Sequence, residues 1–253
     1  MGENSFKTGI RSGKAQIGLW SSMCSTVATE IAAHAGYDWI LFDAEHSPVE
    51  IAELFPLLQA AGQGGSHAAV RLAWNDRVMI KRALDIGAQT VMVPFVQTAE
   101  EARAAVDACA YPPHGVRGVA GSTRASRYGR DKSYFKTARD GICLIVQVET
   151  GEALSRLEEI AGVDGVDGVF IGPSDLAASM GHLGNPGHED VQAALKDAVE
   201  RLKALGTPAG ILAVTEPDAK RYRDWGYAFV AAAVDTGLFA AAIDRVAAAM
   251  KED

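Results

Sequence analysis

The chain has 253 residues, 48% of them hydrophobic and 22% charged, the balance of a globular fold and long enough for one large domain or two small ones. Lys and Arg number 24 against 32 Asp and Glu, a net charge of −8 that argues against nucleic acid or an anionic membrane surface as partner. No apolar run approaches the roughly 20 residues that span a bilayer, and the polar start from Met1 to Thr8 lacks a signal-peptide core. Cys24, Cys109 and Cys143 stand far apart with no metal-ligand spacing, so reduced thiols in a cytoplasmic protein are expected.

Two textures alternate along the chain. Gln16–Ser22 is a first apolar run, after which Ser25 opens a helix with Val27 and Ile31 on one face, closing at Gly36. Trp39–Phe42 is the second run, followed by Ile51, Leu54, Phe55 and Leu58 at helical spacing. Ala68–Leu72 precedes a helix through Ile80, Ala83 and Leu84, and Thr90–Val96 precedes one lined by Ala102, Ala105, Val106 and Cys109. Ile142–Val148 leads to a helix over Glu152–Ala161, and Val166–Ile171 to the stripe Val191, Leu195, Ala198, Val199 and Leu202. Ala209–Val214 is followed by Glu216–Trp225. Ala228–Val234 is followed by Phe239, Ile243, Val246 and Met250, again at helical spacing.

Eight strand–helix units in about 250 residues are the size of a (β/α)8 TIM barrel, an α/β fold. The strands read as continuous apolar runs, as parallel strands buried on both faces do. A doubly wound sheet competes, but Leu19-Trp20-Ser21-Ser22-Met23 after the first strand lacks the glycine fingerprint such folds often carry. One domain over 1–253 is expected. The exception to the rhythm is residues 111–141, with Pro112-Pro113 and five arginines, a segment long enough to be a catalytic loop or an oligomer contact.

Reactive residues of such a barrel gather where the strands end. Strand two runs into Asp43-Ala44-Glu45-His46, strand three carries Arg71, strand five ends in Gln147-Val148-Glu149, and strand six in Gly172-Pro173-Ser174-Asp175. Glu149 and Asp175 end neighbouring strands, which lie roughly 4.8 Å apart, so both carboxylates can reach one ion. An all-oxygen donor set favours Mg²⁺ or Mn²⁺ over zinc. The alternatives are that Asp175 caps a helix and that Glu149 is a solvated loop acid.

His46 sits at the rim, where it is either exposed and idle or a base. Arg71 brings a permanent charge into an apolar strand, which demands an anion: a structural carboxylate such as Asp43, or an anionic substrate. None of the nine lysines falls in a predicted strand, which argues against a Schiff-base aldolase.

Four segments carry a resemblance: Phe42-Asp43-Ala44-Glu45-His46-Ser47-Pro48, Pro112-Pro113-His114-Gly115-Val116-Arg117-Gly118-Val119, Val146-Gln147-Val148-Glu149-Thr150, and Gly172-Pro173-Ser174-Asp175 through Gly181. With these the chain resembles the HpcH/HpaI family of metal-dependent hydroxy-ketoacid aldolases, of the 4-hydroxy-2-oxo-heptanedioate aldolase type, over essentially its whole length. Ala44 is commonly glycine in the family and Ser174 commonly alanine. The resemblance implies a phosphoenolpyruvate/pyruvate-type barrel and a lyase acting on pyruvate and an aldehyde in aromatic or sugar-acid catabolism. It implies a divalent metal (Mg²⁺, Mn²⁺ or Co²⁺) on Glu149 and Asp175 with Gln147 beside it, His46 as acid/base, and Arg71 on the keto oxygen. Gly172, Pro173 and Ser174 would cradle the carboxylate, Leu212 would line the aldehyde side, and Asp43 and Asp85 would be supporting acids.

Two other readings stand beside this one: a citryl- or malyl-coenzyme A lyase of the same superfamily, and a barrel without catalysis. Asp85 poses a separate question. It ends the third predicted helix, on the opposite end of the barrel from His46, and a strand of 5–6 residues separates those faces by roughly 17–20 Å. Asp85 either pairs with Lys81 or Arg82 on its own helix or reaches His46 from a neighbouring subunit. The second case requires a homo-oligomer, a trimer or hexamer, with shared active sites.

Overall fold

Eight strands, β1 (Gln16–Ser21), β2 (Trp39–Asp43), β3 (His67–Arg71), β4 (Thr90–Val93), β5 (Cys143–Val148), β6 (Gly168–Ile171), β7 (Ala209–Leu212) and β8 (Phe229–Val234), pair in sequence order and in parallel into a closed barrel. The computed structural model describes residues 3–251; positions 1, 2, 252 and 253, which the single-domain expectation also spans, lie outside them. The helices are α1 (Ser5–Gly9), α2 (Thr26–Ala33), α3 (Ile51–Ala61), α4 (Arg77–Asp85), α5 (Ala99–Cys109) and α6 (Tyr134–Thr137). They continue with α7 (Gly151–Ser155), α8 (Leu157–Ala161), α9 (Pro173–Ser179), α10 (Glu189–Leu205), α11 (Glu216–Trp225) and α12 (Asp235–Ala249).

Because successive strand residues face opposite sides, each apolar run supplies two cores. Ile40, Phe42, Val70, Val91, Leu144, Val146 and Val169 point outward and pack under the helices. Trp20, Trp39, Leu41, Ala69, Met92, Cys143, Ile145, Phe170 and Phe229 point inward and fill the barrel. Gly210 is fixed by this filling, since a Cβ there would lie 2.0 Å from the Phe229 ring.

The polar N-terminal stretch folds as α1, which carries Phe6 and Ile10 into the barrel's lower end. Asn4 caps it, and the buried Asp167 gathers Lys7 at 3.1 Å and Arg11 at 2.9 Å. His67 closes the same end: its Nε2 lies 2.8 Å from Thr90 Oγ1 and its Nδ1 3.2 Å from Ser5 Oγ.

Several boundaries differ from the sequence reading. β4 ends at Val93 rather than Val96, because Pro94 has no N–H to offer and Phe95 turns left-handed at φ 53°. β6 begins at Gly168 rather than Val166, and the helix expected over Glu152–Ala161 is two pieces interrupted at Arg156. In α2 the buried residues are Thr29 and Ala33, while Val27 and Ile31 are 67% and 69% exposed. The stripe on α12 is likewise exposed at Phe239, Ile243 and Val246.

Residues 111–141 hold a 3-10 turn at Arg124–Ser126 and the short α6. They pack near the C-terminal end of α4, where Arg124 Nη1 donates to the Ile86 carbonyl at 2.8 Å.

Candidate active site

The inward parity sets the site. Counting by twos up each strand leads from barrel-filling side chains to polar ones. Trp39 and Leu41 lead to Asp43, Ala69 to Arg71, Cys143 and Ile145 to Gln147 and Glu149, and Phe170 to Gly172. Asp43 stands beside Arg71 in the β2–β3 register. Arg71 Nε donates to Asp43 Oδ1 at 2.9 Å and Nη2 to Oδ2 at 2.7 Å, while Nη1 lies 2.7 Å from Glu45 Oε2. Its guanidinium also stacks on Trp20 at 4.5 Å, and the Trp20 indole donates to Asp43 Oδ2. The anion that the buried arginine demands is thus Asp43, the structural carboxylate, joined by Glu45.

Asp43 also builds the turn that follows it. The backbone N–H groups of Glu45 and His46 donate to its Oδ1, at 3.0 and 3.3 Å, and the Ser47 hydroxyl donates to its carbonyl. His46 is carried outward on this turn, 67% exposed, with Nε2 4.0 Å from Glu45 Oε1. Burial works to raise the Asp43 carboxyl, but the two-point Arg71 contact outweighs it and holds Asp43 below the carboxylate range.

Glu149 is 2% exposed, which removes the reading of a solvated loop acid. Its Oε1 accepts the Phe95 backbone N–H at 2.8 Å and its Oε2 accepts from Gln147 Nε2 at 3.1 Å. Gly172 leaves the space: a Cβ there would sit 2.5 Å from Glu149 Oε2. Burial first, then the charges of Asp175 and Glu45, push Glu149 up to about 7. Asp175 stands exposed within the first turn of α9, whose N-cap position is taken by Gly172, so Asp175 is not the N-cap of that helix. Pro173 is buried and Ser174 exposed beside it, and Leu212 is half-buried against the barrel interior.

Four carboxylates (Asp43, Glu45, Glu149, Asp175) therefore act on one another near the rim, with the Arg71 guanidinium as their cation among the described residues. A mutually repelling, all-oxygen set with the buried Gln147 Oε1 left without a partner suits a hard divalent ion. Another trio, His182, His188 and Asp190 at the start of α10, also has close donor atoms. Its two imidazoles stack 3.5 Å apart and 15° from parallel, so their in-plane lone pairs do not converge, and His188 Nδ1 accepts the Asp190 N–H.

Asp85 lies elsewhere. Among the described residues it makes no ion pair with Lys81 or Arg82; its Oδ1 instead meets Arg117 Nη2 at 2.7 Å, and Arg117 is fully buried against the Tyr111 ring. Sequence reasoning missed this pairing, as it missed Glu45, Trp20 and Phe95 around the site. The inward parity of Trp20 was a usable signal. Glu45 and Arg117 lie in irregular segments where periodicity gives no direction, and Phe95 lies past the point where β4 leaves the ladder, inside a run read as strand.

The family model for HpcH/HpaI aldolase/citrate lyase matches residues 16–242. The chain belongs to the HpcH/HpaI family. It is similar to a pyruvate aldolase of Rhizobium etli, 55% identical over 97% of this chain and 96% of the relative. It is 50% identical to a 4-hydroxy-2-oxo-heptane-1,7-dioate aldolase of Klebsiella pneumoniae, over 97% and 93% of the two chains. Among solved structures, a family member from Burkholderia cenocepacia superposes with a TM-score of 0.95 at 37% identity, covering 98% of this chain and all of that one. As a member of the HpcH/HpaI family, this protein is a lyase with the carbon–carbon bond chemistry of an aldolase.

Proposed function

We propose that this HpcH/HpaI enzyme is a divalent-metal-dependent pyruvate aldolase: it adds the pyruvate enolate to an aldehyde to give a 4-hydroxy-2-oxo acid and runs in reverse in catabolism. The observation that carries this is the buried Glu149, its two oxygens held by the Phe95 N–H and the Gln147 amide on a rim that also bears Asp175 and Glu45. Glu149 and Asp175 would hold Mg²⁺, Mn²⁺ or Co²⁺, which supplies Lewis acidity toward the carboxylate and 2-oxo group of the substrate.

The chain's own residues do the rest. A guanidinium has five N–H donors, of which Arg71 commits two to Asp43, while its Nη1 faces Glu45 in an ion pair. The uncommitted N–H groups serve the oxygen on which negative charge grows as the methyl proton leaves. Asp43 is then a positioning residue, aligning Arg71 and bending the chain that presents His46. His46, exposed at the mouth, takes the methyl proton in the addition direction and delivers it to the new 4-hydroxyl, and does the reverse in cleavage. The backbone around Gly172, Pro173 and Ser174 receives the pyruvate carboxylate at the start of α9, and Leu212 faces the aldehyde.

The same reading extends to assembly. Asp85 and His46 occupy opposite ends of one barrel, so Asp85 supports His46 only from a neighbouring copy, in a trimer or hexamer. Exposed Val27 and Ile31 on α2, and Leu238, Phe239, Ile243 and Val246 on α12, give a second copy apolar surface to cover. One barrel taking strands from residue 16 to 234 supports a single domain, and free Cys24, Cys109 and Cys143 support a cytoplasmic location. The direct test is a metal-supplemented screen of pyruvate against a panel of aldehydes. Formation of 4-hydroxy-2-oxo acids is expected; turnover of citryl- or malyl-coenzyme A alone would replace this reading.

A further inference from the structure

The two oxygens of Glu149 are held by different devices, and one of them distorts the barrel. β4 and β5 are in register with Val91 opposite Leu144 and Val93 opposite Val146. An unbroken parallel ladder on that register gives the Phe95 N–H to the Gln147 carbonyl. Instead Val96 makes that bond, at 3.0 Å. One residue has been inserted into the end of β4, and Phe95 is the residue displaced. Its backbone stands at φ 53°, left-handed, a conformation that residues with a Cβ rarely adopt. Its side chain gives little reason for this, being 40% exposed and stacked on Trp74, itself 53% exposed. The liberated N–H points at Glu149 Oε1, 2.8 Å away.

We propose that the Phe95 bulge is a positioning device for the metal centre: its left-handed backbone withdraws one N–H from the barrel ladder and uses it to fix the Glu149 carboxylate. This rests on Glu149 being a metal ligand. Bulges beside active sites re-aim single groups, and strain of this kind persists where function holds it. The device works through the main chain. What matters at position 95 is tolerance of the left-handed region, where glycine and asparagine sit readily and a β-branched residue does not.

The test titrates Mn²⁺ alone into the purified full chain by calorimetry, without substrate, alongside melting temperatures. Phe95→Gly and Phe95→Asn keep the wild-type affinity, whereas Phe95→Val weakens it by roughly ten-fold, the scale of one charge-assisted hydrogen bond. Phe95→Ala falls between and serves in place of valine should that variant fail to fold. The order of affinities follows backbone tolerance and not melting temperature. Glu149→Gln separates the two claims. If it binds Mn²⁺ as the wild type does, the ligand assignment fails and the positioning role with it. If it binds weakly while the Gly, Ala and Val variants all match the wild type, the ligand stands and the positioning role is overturned.

Discussion

Arg71 and His46 stand on the same rim and make opposite demands on their surroundings. Arg71 is buried, and its charge is balanced by Asp43 through two nitrogens and by Glu45 through the third. Asp43→Asn leaves a buried guanidinium short of an anion, so a loss of about 3–5 kcal/mol is expected, read as a lower urea midpoint, together with lost activity. Arg71→Lys is also expected to fail, because an ammonium cannot reproduce the planar fork that meets Asp43. His46→Ala is the contrasting case. With 67% of the side chain exposed, stability should hold while turnover falls roughly 10²–10⁴-fold, as measured by steady-state kinetics on the same preparation. Most of this site was legible in the sequence, since Asp43, Arg71, Gln147 and Glu149 fall on the inward parity of apolar strands. Glu45 was not, because it lies past the strand end, where its direction is set by Asp43 accepting two backbone N–H groups.

At the scale of elements, the strands were readable because each run is apolar on both faces, and errors collect where a run leaves the ladder. β4 stops early at Pro94, and the stripes on α2 and α12 have helical spacing but stay exposed among the described residues. Periodicity tells which face is apolar; it does not tell what covers it. α1 was invisible for the opposite reason, a short polar stretch anchored by Phe6, Asn4 and contacts to Asp167. Its seat carries a pH dependence. Burial pushes the His67 imidazole down to about 4 from its ordinary 6.5. The unfolded chain therefore binds a proton between those values that the folded one refuses. Stability is full above pH 6.5 and falls as the pH drops toward 4, by at most about 3 kcal/mol. Urea midpoints at pH 7.5 and 5 should separate for the wild type and converge for His67→Gln. Equal slopes in both proteins would assign the acid sensitivity elsewhere.

For the whole molecule the barrel separates two halves of one proposed dyad, since Asp85 ends α4 while His46 follows β2. Within the chain Asp85 holds Arg117, a contact that leaves room for the subunit-sharing proposal only if that carboxylate is presented at an interface. Complementation decides it: inactive His46→Ala and Asp85→Ala variants, dissociated and reassembled together, should recover part of the activity. Correctly folded mixtures that stay dead, or a fully active monomer, would count against sharing. The central claim, a metal-dependent deprotonation of pyruvate without a lysine adduct, is open to a single measurement that needs no aldehyde. Exchange of the pyruvate methyl protons in deuterated water, followed by NMR, should proceed with the enzyme and Mg²⁺, Mn²⁺ or Co²⁺. It should stop with EDTA and be lost in Glu149→Gln. Exchange that continues undiminished in EDTA, with borohydride trapping pyruvate on a lysine, would contradict the account.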